Sequence, residues 1–123
     1  MAKHRLSSIL AIDVVCYSAL MERVRDELLR ALDELFRSTV RPNVKAHGGR
    51  VVKLMCDGAI VEFGSARDAV LCAVSIQERM QSEAVPYQYP ERLALRMGIH
   101  AGDVTVSAGD LFGEAINVAA RLE

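Results

Sequence analysis

Two short apolar runs, residues 50–55 and 59–63, flank the triplet Cys56-Asp57-Gly58. An Asp-Gly pair between apolar runs is the strongest short-range signal for a β-hairpin, because glycine accepts a positive φ without steric cost. The sequence therefore predicts two antiparallel strands joined by a tight turn. An acidic side chain, Asp57, is expected at that turn.

A second strand signal lies upstream, where residues 9–15 form a short run rich in β-branched side chains with one charge, Asp13, near its end. Such a run predicts a strand buried on both faces. Ser18 is predicted to cap an amphipathic helix that follows, and Pro42 to break or restart that helix. Its apolar residues recur at helical spacing, and they are Met21, Val24, Leu28, Leu32, Leu35 and Phe36.

Downstream of the hairpin, residues 65–68 (SARD) resemble a capping box with Asp in place of Glu and predict the start of a second helix. The residues that this helix is expected to bury are Ala69, Cys72, Ala73, Ile76 and Met80. The remaining predictions are a loop over 83–90, a half-buried strand over 93–99, a short strand over 103–106, a turn at Gly109 and Asp110, and the opening of a helix over 113–123.

The predicted order is strand, helix, strand, strand, helix, strand, which is the ferredoxin-like βαββαβ arrangement of the α+β class. A right-handed crossover makes the first two strands parallel and leaves room for the third, antiparallel, between them. Asp13 at the end of the first strand then lies beside the hairpin turn that holds Asp57. The topology therefore predicts that two carboxylates distant in sequence meet at one rim of the sheet.

Composition excludes several classes of function. The 123 residues are enough for one domain, and a net charge of -1 favours neither nucleic acid nor an anionic membrane as a partner. Aromatic residues make up only 5% of the chain, which argues against an RNA-binding ferredoxin-like sheet. No run approaches the ~20 apolar residues of a membrane span. Three cysteines without paired spacing favour a reducing, cytoplasmic location.

Two converging carboxylates without a base between them cost Coulomb energy, so a cation is expected there. Oxygen ligands of this kind suit Mg²⁺ or Mn²⁺, whose shells phosphates and water complete. The chain from Val15 to Ala19 turns from strand into helix, and its free amides, with those of Cys16, Tyr17 and Ser18 at the centre, favour a phosphate. The alternative from spacing alone is two solvated aspartates at a strand end and a turn.

Four segments carry a resemblance to the class III adenylate and guanylate cyclases. Residues 11–18 (AIDVVCYS) resemble the first metal motif of that family, in which an Asp precedes Gly-Phe/Tyr-Ser/Thr. Residues 48–58 (GGRVVKLMCDG) resemble the second metal motif, 95–104 (LRMGIHAGDV) the next strand, and 110–121 (DLFGEAINVAAR) the catalytic helix. The four stand in the family's order over almost the whole chain.

The resemblance implies the class III cyclase fold and conversion of ATP to 3′,5′-cyclic AMP and pyrophosphate. Asp13, Asp57 and the Val14 carbonyl would hold two Mg²⁺ or Mn²⁺ ions. One ion would activate the ribose 3′-hydroxyl, and the other would hold the triphosphate. Lys53 and Asp110 match the family's pair that reads the adenine ring.

Asn117 and Arg121 match the family's transition-state residues, with Asn orienting the ribose and Arg neutralising charge on phosphate oxygens. Their i, i+4 spacing puts both on one helix face. In the family the site is shared across a two-fold homodimer, in which one protomer provides the two Asp residues. The other protomer would provide Lys53, Asp110, Asn117 and Arg121.

The chain departs from the family pattern in two respects. Cys16 and Cys56 stand where the family usually has Gly, and strain of roughly 1–3 kcal/mol per residue is expected to reduce activity. Family domains also continue with further strands and a second phosphate-binding lysine. We therefore expect the domain, residues 1–123, to be truncated at its C-terminus and a C-terminal region to be missing. The alternative function is a degenerate cyclase-like module that binds nucleotide or a partner subunit without turnover.

Overall fold

The computed structural model describes residues 3–82, 93–107 and 110–112, with side chains over 5–82 and 93–104. A long strand opens this part of the chain, and helices and strands alternate after it. In chain order the elements are β1 Lys3–Val14, α1 Tyr17–Leu35, a π-helical turn Phe36–Val40, α2 Arg41–Ala46, β2 Arg50–Met55, β3 Gly58–Phe63, α3 Ala66–Gln81, β4 Leu95–Ser107 and β5 Asp110–Phe112.

The sheet has the strand order β2-β3-β1-β4-β5, and each neighbouring pair is antiparallel. Because β3 pairs with both β1 and β2, these two strands run parallel on either side of it. This is the predicted arrangement, and the α+β fold class is confirmed. β1 is the central strand and pairs with β3 on one side and β4 on the other.

The main core lies between the sheet and the helices. Leu10, Ile12 and Val14 of β1 pack there with buried residues of α1 and α3. The alternate residues Ile9 and Ala11 point to the other side, as the two-residue period of a strand requires. There they form a smaller cluster with Ile60 and Val104. We call this second side, opposite the described helices, the open face. Asp13 falls in the same alternation as Ile9 and Ala11.

The start of α1 differs from the prediction. The helix begins at Tyr17 with Cys16 as its N-cap, so Ser18 lies in the first turn and does not cap it. The reason is tertiary, because the Val14 amide donates to the Asp57 carbonyl (2.8 Å) and the Val15 amide to the Ala94 carbonyl (2.9 Å). The chain stays in the sheet through these bonds and must then turn abruptly at Cys16.

Of the two predicted effects of Pro42, a break or a restart, the structure shows the restart: the π-helical turn leads without a gap into α2, and Pro42 lies in the first turn of α2. Ser65 caps α3 as predicted, since its side chain accepts from the Asp68 amide at 3.1 Å. Four of the five residues expected to be buried in α3 are buried: Ala69, Cys72, Ile76 and Met80. The fifth, Ala73, is half-buried against the core.

The hairpin is confirmed, but the reason for its glycine is different. Cys56 and Asp57 form the turn, and Gly58 already belongs to β3. Gly58 has no positive φ. A Cβ at this position would stand 2.0 Å from the backbone oxygen of Ile12. Glycine is needed here because β1 passes so close to the hairpin.

Two further predictions, both for residues after position 92, were wrong. The strand over 93–99 and the short strand over 103–106 are one continuous strand, β4. Asp110 begins β5 instead of lying in a turn, because its backbone pairs with Ser107 of β4. The predicted loop over 83–90 and the helix over 113–123 lie outside the described residues. None of the described helices has the length and apolar character needed to span a bilayer.

Candidate active site

Asp13 and Asp57 meet at one rim of the sheet. Asp13 is next to last in β1, and its register partner on β3 is Gly58, the residue after Asp57. The backbone bond between Val14 and Asp57 ties the strand end to the hairpin tip. The Asp57 carboxylate lies close enough to Asp13 to raise the pKa of the Asp13 carboxyl group. The convergence expected from the topology is therefore present.

The electrostatics of this pair leave negative charge uncompensated. Burial raises the pKa of Asp13 above its ordinary value, and the negative charge of Asp57 raises it further. Arg96 acts in the opposite direction, because its Nη2 donates to Asp13 Oδ2 at 3.1 Å. The pKa of Asp13 is still raised, because burial and the charge of Asp57 together outweigh the effect of Arg96.

Arg96 was not predicted as a site residue, because the sequence pattern of its segment indicates only a strand. In the structure Arg96 stands directly opposite Asp13 in the β1–β4 ladder. The alternation of residues 93–99 indicated that Arg96 is on the polar side of its strand. The register against β1 could not be obtained from that pattern, because the two residues are separated by 83 positions.

The turn into α1 forms the second wall of the site. Cys16 adopts a left-handed conformation (φ 60, ψ 32), and its side chain provides no helix cap. The first turn of α1 also contains no acidic residue. Helix-terminal amides without a side-chain cap carry partial positive charge and favour an anion. Cys16 and Ser18 are exposed and Tyr17 is half-buried.

Tyr17 links this turn to the hairpin tip. Burial raises the pKa of the Tyr17 hydroxyl, and the neighbouring Cys56 and Asp57 raise it further. Tyr17 at the start of α1 and Cys56 in the hairpin turn are therefore close neighbours. The two segments that resemble metal motifs are joined by the backbone bond between Val14 and Asp57, and Tyr17 of the first lies next to the second.

The other predicted residues are placed only in part. Lys53 is exposed on β2, where it pairs with Ile60 of the open-face cluster next to a shift of the ladder between Val51 and Lys53. The backbone of Asp110 begins β5, but its side chain lies outside the described residues, as do Asn117 and Arg121. Their assigned roles stay predictions.

The donor set fits a cation of the magnesium type. In the part of the chain that the structure describes, no three His, Cys, Asp or Glu side chains converge as a metal cage would require. Mg²⁺ and Mn²⁺ do not need such a cage, since one or two carboxylates suffice when substrate phosphates and water complete the shell. Two adjacent, partly exposed carboxylates with excess negative charge match that requirement.

Comparison with known proteins gives close relatives. The chain is 42% identical over 121 residues to a putative adenylate cyclase 3 of Rhizobium meliloti, covering 98% of this chain and 21% of that protein. It is 36% identical over 110 residues to an adenylate cyclase of Streptomyces coelicolor, covering 89% of this chain and 27% of that protein. The chain thus spans about a fifth to a quarter of these relatives.

Among solved structures, an adenylate/guanylate cyclase/hydrolase from Silicibacter pomeroyi is similar with a TM-score of 0.89 and 41% identity. The match covers 100% of this chain and 72% of that one. The family model for the adenylate and guanylate cyclase catalytic domain matches residues 1–123. The chain therefore belongs to the adenylate and guanylate cyclase catalytic domain family.

Proposed function

We propose that this chain is the catalytic part of an adenylate cyclase, which converts ATP to 3′,5′-cyclic AMP and pyrophosphate. The observation that carries the proposal is the convergence of Asp13 and Asp57 beside the uncapped start of α1. Paired carboxylates next to free helix amides combine a cation site with a phosphate site. The adenylate cyclase names of the relatives support the choice of ATP.

Asp13, Asp57 and the Val14 carbonyl would hold two Mg²⁺ or Mn²⁺ ions. When bound, such ions supply Lewis-acid activation of the ribose 3′-hydroxyl and charge neutralisation for the triphosphate. In the reaction the 3′-oxygen attacks the α-phosphorus and loses its proton. The bond between the α-phosphorus and the oxygen that bridges to the β-phosphate breaks, and pyrophosphate leaves.

The chain's own groups bind and orient the nucleotide. The amides of Tyr17 and Ser18 bind phosphate oxygens at the start of α1. Arg96 offers further guanidinium donors at the same rim, where its charge is shared with Asp13. Lys53 and Asp110 hydrogen-bond the adenine ring.

Asn117 and Arg121 complete the proposed transition-state interactions, with the amide orienting the ribose and the guanidinium neutralising charge on the α-phosphate. We place these two residues, with Lys53 and Asp110, on a second copy of the chain facing the first. The exposed side chain of Lys53 supports this division, because it is free to reach a facing molecule. On this proposal a monomer has the carboxylates of one site and the base-reading residues of another.

A degenerate module that binds nucleotide without turnover is the second candidate. The observation that favours it is the positive φ of Cys16, a non-glycine residue, in the turn where phosphate would approach. A side chain at that position restricts both the backbone and the approach of the triphosphate.

The test is Mn²⁺-dependent formation of cyclic AMP by the full-length protein, with Asp57→Ala as the variant. We expect a loss of about 100-fold or more, because removing a ligand forfeits several kcal/mol of transition-state stabilisation. Asp26→Ala, which removes an exposed carboxylate on α1, is the matched control and should keep wild-type activity. Equal activity of the two variants would contradict the proposal. Saturable ATP binding by the wild type without product would favour the degenerate module.

A further inference from the structure

A second charged cluster lies on the open face at the other end of β1 and β3. At its centre is Glu62, whose side chain is only 8% exposed. Arg5 donates to both carboxylate oxygens, with Nε at 2.7 Å from Oε2 and Nη2 bonded to Oε1. Ser7 Oγ donates to Oε2 at 2.6 Å, and Arg50 Nη2 donates to Oε1 at 3.2 Å. The contact partners of Glu62 are therefore two cations and a hydroxyl.

The hydrogen-bonding capacity of Glu62 is fully used by these contacts. Each carboxylate oxygen accepts two bonds, and a carboxylate offers about four acceptor sites. Burial acts to raise the pKa of Glu62, but the hydrogen bonds from Arg5, Ser7 and Arg50 outweigh it and hold the pKa below its usual range. Glu62 is thus ionised at neutral pH and has no capacity left for a further donor.

The two arginines, in contrast, retain capacity. A guanidinium has five N–H donors, and Arg50 gives one contact to Glu62 while its side chain stays 49% exposed. Arg5 is also 46% exposed. Two guanidinium groups and one carboxylate leave an excess of one positive charge. What remains at this position is donor-only and cationic.

These groups line a cavity of about 310 Å³. Arg5, Ser7, Arg50 and Glu62 form its polar side, and Gly48 and Gly64 lie on its wall. A Cβ on either glycine would meet nothing within 4 Å, so the backbone there leaves open space. The cavity is at the low end of the volumes of small-molecule sites, roughly 300–1,000 Å³. Arg5 and Asp13 are eight residues apart on β1, about 26 Å at the rise of an extended strand.

We propose that this cavity binds a small oxyanion, a phosphate or carboxylate group, through the unused donors of Arg50 and Arg5. The planar fork of a guanidinium matches the paired oxygens of such a group. A cationic or donor-rich ligand is disfavoured, because Glu62 has no acceptor capacity left. The site is separate from the carboxylate pair and does not depend on the proposed cyclase activity.

The test is an NMR titration of the full chain with inorganic phosphate, and in a second arm with acetate, at constant ionic strength set by chloride. We expect saturable shifts of the Gly48 and Gly64 amides in the wild type. Arg50→Gln should weaken binding about 10-fold or more, because a charge-assisted hydrogen bond is lost. Arg30→Gln is the matched control, because it removes an exposed arginine on α1, on the other side of the sheet from the cavity.

Each outcome separates the alternatives. Saturation by phosphate alone identifies a phosphate site, and saturation by both probes identifies a general oxyanion site. Equal affinity in Arg50→Gln and Arg30→Gln would overturn the proposal, as would saturable shifts confined to residues 16–20 at the start of α1. Arg50→Lys keeps the charge and loses the fork, so it should bind with intermediate affinity. It provides the same test if the glutamine variant does not fold.

Discussion

The two ends of the open face carry carboxylates in opposite electrostatic environments. At one end Asp13 lies beside the carboxylate of Asp57 and accepts a hydrogen bond from the guanidinium of Arg96. At the other end the single carboxylate of Glu62 is shared by Arg5 and Arg50. The pKa of Asp13 is accordingly raised and that of Glu62 lowered. On one sheet face, the ionised form of a carboxyl group is thus disfavoured at one end and favoured at the other.

The difference extends to the backbone. The carboxylate end contains Cys16 in a left-handed conformation and Gly58 in close contact with β1. At the arginine end the positive φ belongs to a glycine, Gly48, which adopts it without steric cost, and Gly64 has open space around it. Concentrated like charge and strained backbone are typical of sites that gain stability only when a ligand arrives. The comparison therefore supports the carboxylate end as the place where a cation acts, and the arginine end as a place where the carboxylate of Glu62 is satisfied and only the guanidinium groups keep unused donors.

The largest expected effect is on packing at the carboxylate end. Gly58→Ala places a Cβ 2.0 Å from the Ile12 carbonyl oxygen, which is backbone and cannot rotate away. We expect the free energy of unfolding to fall by about 3 kcal/mol or more. Gly64→Ala is the control at the other end and should change it by less than about 1 kcal/mol. Urea denaturation of both variants measures the difference, and similar losses would remove the packing contrast between the two ends.

Glu62→Gln tests the arginine end. The amide accepts fewer bonds and no longer neutralises the two guanidinium groups, so we expect a loss of about 2 kcal/mol in the free energy of unfolding at neutral pH. Because the pKa of Glu62 is lowered from 4.5 on folding, its stabilisation is present above that value. It is lost as the pH falls through the folded-state pKa.

The difference in the free energy of unfolding between Glu62→Gln and the wild type should therefore become smaller at acidic pH. Urea denaturation from neutral pH to below pH 4.5 measures this difference in the free energy of unfolding. Glu22→Gln, on the exposed side of α1, is the control. If Glu62→Gln were as stable as the control at neutral pH, the cluster would not be the stabilising counterpart of the carboxylate pair.

Local patterns were sufficient to predict much of this molecule. The hairpin and the buried side of α3 follow from residue type and spacing within short segments, and the strand order follows from the handedness of the crossover. The meeting of Asp13 and Asp57 followed from handedness and topology. In each case the physical determinant lies in neighbouring residues or in a general rule of chain connection.

The features that could not be predicted depend on pairings between distant segments. Arg96 stands opposite Asp13 across 83 positions, and Arg5 reaches Glu62 across 57. The left-handed turn at Cys16 is imposed by backbone bonds to Asp57 and Ala94. A sequence pattern specifies which face a strand residue occupies, but not which residue stands across from it.

Asp57→Asn should raise the free energy of unfolding, whereas Glu62→Gln should lower it. The pKa of Asp13 is raised from 3.8 on folding, so the native state binds more protons above that value. Stability of the metal-free protein then falls as the pH rises through the folded-state pKa of Asp13. Ionised Asp13 is destabilised in the folded protein partly by the charge of Asp57. Removing that charge should therefore raise the free energy of unfolding by about 1 kcal/mol at neutral pH.

Thermal unfolding in a chelator, from acidic to neutral pH, measures this gain. Asp26→Asn on α1 is the control for loss of an exposed carboxylate. A variant no more stable than the control would mean that the two carboxylates do not repel each other in the folded protein, and the contrast between the two ends would be lost.

The smallest expected change in stability comes from replacing the two cysteines that stand where the family usually has glycine. The two replacements should differ from each other. Cys16 has φ 60, and a left-handed conformation costs a non-glycine residue roughly 1–2 kcal/mol. Cys16→Gly releases this strain but also raises the conformational entropy of the unfolded chain. The net gain in the free energy of unfolding should therefore be about 0.5–1 kcal/mol.

Cys56 is exposed in the hairpin turn without a positive φ, and Cys56→Gly therefore has no such strain to release. It should leave the free energy of unfolding unchanged or lower it by about 0.5–1 kcal/mol. Denaturation of both variants gives the stability difference, and cyclic AMP formation by the full-length variants gives the turnover. Turnover should rise in Cys16→Gly alone, since that residue borders the amides expected to hold phosphate. Equal gains in both variants would mean that crowding by thiols, and not backbone strain, limits the site.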